Sequence, residues 1–268
     1  MDLHGVREIV RPRSVEALPA WQPGDVMLGG GTYLFSEPQP AARRLIDLAA
    51  LGLSPARREP AGLRIAATCR LAELASLEVA SPAMSLFAPA VHCLWGSFKV
   101  HNVATVGGNL CLALPAGPMS ALMVALDGLL CLRGPGGALR DLPARDFIVD
   151  FLTTRLHPGE MLESILVPNA ALARQGVLRQ ASLTRYGRSA ALLIGTIGDG
   201  GFSLTITAAS KRPLRLDFGT LPSAEQVRHA AADALSPDIL HDDIHGAPAW
   251  KRDRAIALAG EIAEALRT

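Results

Sequence analysis

The chain has 268 residues, of which 49% are hydrophobic, 19% charged and 4% aromatic, with a formal net charge of +1. That length holds one large or two medium domains, and the near-neutral balance gives no electrostatic footprint for a nucleic acid or a membrane surface. No apolar run approaches the roughly 18 residues of a membrane helix, and Met1–Arg13 is too charged for a secretion leader, so no membrane span is expected and a cytoplasmic setting is.

Taken in chain order, Val26-Met27-Leu28 reads as a short buried strand that delivers the cluster Gly29-Gly30-Gly31-Thr32, and Leu45–Leu48 as another strand. The charged, proline-containing stretch Ser54–Gly62 reads as a linker between a first region, 1–53, and a second, 63–170. Leu63–Ala67 reads as a strand, and Thr68 as the N-cap of a helix Cys69–Ser76 carrying Leu71, Leu74 and Leu77 at helical spacing. Ser85–Trp95 predicts a largely buried helix ahead of a second glycine cluster, Thr105-Val106-Gly107-Gly108-Asn109. A helix over Met119–Asp127, a strand over Leu129–Leu132, a turn at Gly134–Gly137 and a strand over Met161–Val167 follow. A boundary is expected near Asn169–Gln175, with strands near Val177–Leu183, Phe202–Ala208 and Leu214–Phe218 beyond it. Ser223-Ala224-Glu225-Gln226 fits a capping box, and Trp250, Leu258, Ile262 and Leu266 form a packing stripe on the last helix. Strands and helices without strict alternation predict an α+β fold.

The glycine clusters carry the chemistry. Successive N–H groups without side chains form anion-binding concavities, and two such clusters fit a ligand with two phosphates. As an alternative, both are tight turns between strands. Neither cluster shows G-x-G-x-x-G opening a long helix, nor a lysine after the glycines, which argues against Rossmann and Walker loops. On this reading Gly107→Asp repels the bound anion while leaving the protein folded.

No catalytic dyad or metal set is legible. The histidines adjoin no serine or cysteine nucleophile motif, and Asp242-Asp243…His245 has residue types that a metal could use. Cys69, Cys93, Cys111 and Cys131 lack metal or iron–sulfur spacing and read as buried thiols.

Met27-Leu28-Gly29-Gly30-Gly31-Thr32-Tyr33-Leu34 resembles the first FAD loop of the flavin subunits of molybdenum hydroxylases, the family of carbon monoxide dehydrogenase and xanthine dehydrogenase. His101–Leu110 is similar to the family's second loop, R-N-x-A-[ST]-[IV]-G-G-[NS]-[LI]. Arg145-Asp146-Phe147, Glu160–Ile165 closing at Pro168, Arg212–Leu216 and Asp242–Gly246 extend the likeness nearly end to end, and the resemblance implies that Asp242-Asp243…His245 is a structural turn ahead of the last helix rather than a metal site. The resemblance implies a PCMH-type two-subdomain FAD-binding domain over 1–170, with subdomains of about 1–53 and 63–170, and a small α+β C-terminal domain over 171–268. It implies FAD on this chain. It also implies partners, a large molybdopterin subunit and a small [2Fe–2S] subunit doubled into a dimer of heterotrimers, with electrons passing from the [2Fe–2S] centres through FAD to NAD, a quinone carrier or oxygen.

By the same resemblance Trp95 stacks on or walls off part of the flavin, its alternative being a core aromatic that closes a helix. Leu162 offers its backbone to the isoalloxazine or ribityl region, and Arg179 matches a lysine near the flavin, where a cation favours an anionic form. Pro118 departs from the pattern, standing where relatives carry an aspartate, and Arg188–Ala191 lacks another. A stand-alone flavin oxidoreductase of the same fold and a scaffold subunit without FAD remain alternatives.

Overall fold

The structure is a computed structural model that describes residues 3–267. The first unit is a small parallel sheet of β1 (Glu8–Val10), β2 (Asp25–Leu28) and β3 (Arg44–Asp47), in the order β1-β3-β2. Ile46, Leu48 and Leu51 form its small core with Trp21 and Met27, and Met161 from the next unit completes it. Asp25, at the root of β2, is buried and paired with Arg44 at 2.6 Å. The guanidinium's hydrogen bonds hold its carboxyl below the ordinary aspartate value.

The second unit opens with β4 (Ala56–Glu59) and β5 (Gly62–Ala66), an antiparallel hairpin. The expected linker therefore contains an edge strand, because Arg57 and Glu59 present polar side chains on one face of the hairpin. The helices α1 (Leu71–Ala75), α2 (Phe87–His92), α3 (Phe98–His101), α4 (Val106–Leu112) and α5 (Pro118–Ala125) follow. The chain then adds β6 (Leu129–Arg133), β7 (Leu139–Pro143), α6 (Ala144–Phe147), the small hairpin β8 (Ile148–Asp150) and β9 (Thr153–Thr154), and β10 (Met161–Pro168). A five-stranded antiparallel sheet results, in the order β4-β5-β10-β6-β7. α1 begins later than Thr68 capping requires, because the backbone stays extended through Arg70, which bridges Thr105. The helix expected over Ser85–Trp95 is split into a 3-10 turn, Pro82–Leu86, and α2.

After α7 (Asn169–Leu172), the strands β11 (Gln175–Ala181), β12 (Ala191–Gly198), β13 (Gly201–Thr207) and β14 (Leu214–Phe218) form an antiparallel meander. It is followed by α8 (Ala224–Ala234) and α9 (Pro248–Ala265). Ser223 and Gln226 make the expected capping box on α8. Sequence patterning misses β12 because it is covered on both faces, so its apolar run does not alternate with polar residues. Leu192 and Ile194 join the core that contains α5, while Ala191 and Leu193 join the core of α8 and α9. Of the α9 stripe, Leu258 and Ile262 are buried, Leu266 packs against the same core and Trp250 is half-buried. Asp127, at the end of α5, binds Arg174 at 2.7 Å and Arg215 of β14 at 2.5 Å, which fixes the last sheet to the second unit.

Candidate functional site

β2 ends at Leu28, and the glycines that follow cannot be replaced by larger residues where they stand. A Cβ on Gly30 would lie 1.9 Å from the Val103 carbonyl oxygen, and one on Gly29 would lie 2.9 Å from Thr105 Oγ1. The fold thus lays the first glycine segment directly against the second. Gly31 has φ of 72°, a left-handed conformation that turns the chain back. Phe35 N–H donates to Gly31 O, and Ser36 and Glu37 N–H both donate to Tyr33 O. Among the described residues, no protein acceptor takes the N–H of Gly30, Gly31, Thr32, Tyr33 or Leu34. Thr32 is exposed and Tyr33 is 37% exposed, so this run of donors meets solvent. Met27 and Leu28 are half-buried below it, Met27 in the small core and Leu28 against Gly31.

The second segment is built differently. Thr105 is the N-cap of α4, and its Oγ1 accepts the Gly108 N–H at 3.0 Å. Val106 N–H donates to Cys69 O, Gly107 N–H to Ala67 O and Asn109 N–H to Thr105 O. These donors are committed inside the protein, so the expectation of two open backbone nests is corrected to one. Gly107 is a packing glycine, since a Cβ there would sit 2.5 Å from the Ala67 Cβ. Gly108 is exposed beside Thr105. Asn109 Oδ1 accepts the Met119 N–H at 3.0 Å and so caps α5. Pro118 is the first residue of that helix, where no intrahelical N–H is needed, so the departure from the family pattern is structurally accommodated.

The remaining expected residues divide. Trp95 lies between α2 and α3 and is 61% exposed, which rules out a core aromatic. His101 bonds the carbonyl of Leu94 at 2.9 Å and ties down this stretch just ahead of the second segment. Leu162 is buried on β10, against which α4 packs. A bulge follows it, between Leu162 and Ser164, and the bulged Glu163 accepts the Ala67 N–H at its carbonyl. Arg179 stands apart on β11, half-exposed, with its guanidinium 3.9 Å from Glu261 of α9. It is not brought to the glycine segments by any contact of its side chain.

Sequence reading missed the carbonyls of Ala67 and Cys69 and the extended Arg70, which hold the second segment in place. They lie more than thirty positions earlier, and no spacing rule links them to it. No cluster of three or more His, Cys, Asp or Glu suited to a metal occurs among the described residues. Burial pushes the thiols of Cys69, Cys93 and Cys111 up to about 12 and also raises Cys131, so none is an activated nucleophile. Asp243 accepts from the fully buried Lys251 at 2.6 Å and from the His245 N–H at 2.8 Å, which makes the Asp242–His245 segment a structural turn, as expected. A cavity of about 390 Å³ on the outer face of the five-stranded sheet contains Arg57 and Arg64, both bound to Glu59, and includes neither glycine segment.

A nest of unclaimed N–H groups, backed by a strand end and closed against a helix cap, fits the pyrophosphate of a dinucleotide. The profile of the FAD binding domain in molybdopterin dehydrogenase matches residues 6–170. The chain belongs to this FAD-binding family. It is 37% identical over 70 residues to the carbon monoxide dehydrogenase medium chain of Afipia carboxidovorans, covering 26% of this chain and 24% of that one. It is 30% identical over 107 residues to the glyceraldehyde dehydrogenase medium chain of Sulfolobus acidocaldarius, covering 40% and 37% respectively. The xanthine dehydrogenase of Oryza sativa is 33% identical over 70 residues, 26% of this chain and 5% of that protein. These alignments therefore span well under half of each relative. The fold extends further: a chain of the reconstituted CO dehydrogenase from Oligotropha carboxidovorans superposes with a TM-score of 0.84 at 21% identity, over 98% of both chains. The PCMH-type α+β architecture is shared with that chain.

Proposed function

We propose that this chain is the electron-transfer medium subunit of a molybdenum-dependent hydroxylase or dehydrogenase, working in the cytoplasm with a large molybdopterin subunit and a small [2Fe–2S] subunit. Residues 1–170 form the FAD-binding domain in this reading, and 171–268 the C-terminal domain. The observation that carries it is the run of open N–H groups from Gly30 to Leu34, pressed against the cap of α4. FAD, when bound, supplies the redox chemistry that links the iron–sulfur centres to NAD, a quinone carrier or oxygen. The chain's own residues bind and orient. Gly30–Leu34 hold the pyrophosphate through backbone donors. Thr105, Val106, Gly107, Gly108 and Asn109 form the rigid wall that fixes the nest. Trp95 covers an exposed face of the ring system, Leu162 presents backbone to it, and Arg179 supplies positive charge from the C-terminal sheet.

No acid, base or nucleophile is required of this chain, and its perturbed groups have structural explanations. The lowered carboxyls of Asp25, Glu59 and Asp243 bind Arg44, Arg64 and Lys251, and burial accounts for the raised thiols. Purification from the native host followed by size-exclusion chromatography tests the reading. A peak with the large and small subunits, molybdenum, iron and acid-releasable FAD is expected. A lone flavoprotein of this size that turns over substrate without either metal would overturn it in favour of a stand-alone flavoenzyme.

A further inference from the structure

Three short stretches lie side by side at the site: Cys69–Leu71, Ala104–Val106 and Gly29–Gly30. Leu71 N–H donates to Ala104 O and Val106 N–H to Cys69 O, each at 2.9 Å. Arg70 and Thr105 therefore face each other across an isolated antiparallel bridge. Residues opposite one another in such a bridge project their side chains to the same side, and pairs flanked rather than joined by hydrogen bonds are the closer kind. The Thr105 side chain on that side accepts the Gly108 N–H and lies against Gly29. Arg70 is exposed and forms no ion pair with a carboxylate among the described residues. Glu73, the acid nearest in sequence, turns instead to Arg70's own backbone N–H, at 2.8 Å. Other arginines of the same unit are committed, Arg64 to Glu59, Arg133 to Glu163 and Arg140 to Glu160.

We propose that Arg70 is a binding residue for the pyrophosphate of the dinucleotide, supplying side-chain charge to a nest otherwise made of neutral backbone. The inference rests on the FAD-binding reading and adds a residue to it. Backbone N–H groups orient an anion but carry only partial charge, whereas a guanidinium neutralises it and bonds two oxygens at once. The position is set by the bridge to Thr105, so the charge arrives from the wall of the site and not from the glycine segment itself.

The test uses the full-length apoprotein, titrated with FAD, ADP and riboflavin by fluorescence and calorimetry. Arg70→Gln is expected to weaken FAD and ADP by about tenfold each, the worth of one charge-assisted hydrogen bond, and to leave riboflavin unchanged. Arg70→Lys retains most of the affinity. The salt dependence of FAD binding is shallower in the Gln variant, because one cation has left the site. Thermal melting stays at the wild-type value, since Glu73 bonds the backbone and not the guanidinium. Equal FAD affinity and salt dependence in wild type and R70Q, or an equal loss with riboflavin, overturns the proposal. Failure of the wild-type chain to take up FAD at all would overturn the binding reading along with it.

Discussion

The two glycine segments look alike in sequence and do opposite things. Gly30–Leu34 leaves its N–H groups open to solvent, whereas Val106–Asn109 delivers each of its N–H groups to a protein acceptor. The difference comes from what precedes each. β2 is an edge strand that stops at Leu28, so the chain beyond it is freed from the sheet. Thr105 instead starts a helix, and its neighbours lie against the carbonyls of Ala67 and Cys69. A glycine in the first segment gives a ligand access to backbone; a glycine in the second gives another part of the protein that access.

The strongest way to break this comparison is Gly107→Asp. If the second segment were an open nest, the variant would fold and lack flavin. Its Cβ would instead stand 2.5 Å from Ala67 and 2.8 Å from the Ala67 carbonyl oxygen, with a carboxylate behind it. Overpacking and a buried charge together cost about 3 kcal/mol or more. Thermal unfolding is expected to show a large loss of stability, and a wild-type melt would remove the distinction drawn here.

Asp25 anchors the strand that carries the open segment, and its ion pair with Arg44 gives that platform a pH dependence. A carboxyl held below its ordinary value contributes stability above the unfolded pKa, and loses it as pH falls through the folded value. Asp25→Asn should cost about 2 kcal/mol near pH 7. The gap from wild type should begin to narrow below about pH 4, where the carboxyl of the unfolded chain takes up its proton, and should vanish only below the lower folded value. Denaturant melts across pH measure both, and a gap that widens in acid would contradict the assignment.

Thr32→Glu sharpens the contrast from the other side. The side chain is exposed, so the fold should stand, while a carboxylate at the open nest repels an anion. FAD affinity of the apoprotein should fall by about tenfold or more, on the order of 1.4 kcal/mol, with melting unchanged. Retained affinity would place the pyrophosphate elsewhere. The smallest effect is expected for Asn109→Ala, which removes the acceptor for Met119 N–H at the start of α5. Loss of such a cap costs about 1 kcal/mol, and flavin content per folded molecule should stay near that of wild type.

Much of the fold was legible because local signals are strong where one face is buried. β6, β10, β13 and β14 fall within a residue or two of their expected spans, and the capping box at Ser223 fixes the start of α8. The short strands β1, β7, β8 and β9 escaped notice, and so did two strands whose environment is set by the rest of the fold. β12 opens with the unbroken apolar run Ala191–Ile194 because α5 covers one face and α9 the other, and the edge strand β4 looks polar enough for a linker. Trp95 illustrates the same limit, since an aromatic after a buried helix can close the core or face outward, and only packing places it at 61% exposure.

The sequence by itself determined that two glycine-rich segments follow apolar stretches, and that their motifs resemble those of one FAD-binding family. Glycine content and motif are local properties, so they survive in the one-dimensional record. Which N–H groups remain free was decided only in three dimensions. Hydrogen-bond partners are assigned by approach across the fold: Ala67 and Cys69 claim the donors of the second segment, Val103 comes up against Gly30, and Arg70 is carried to Thr105 by an extended backbone. A buried donor requires an acceptor, and where the fold supplies one the donor is no longer available to a ligand.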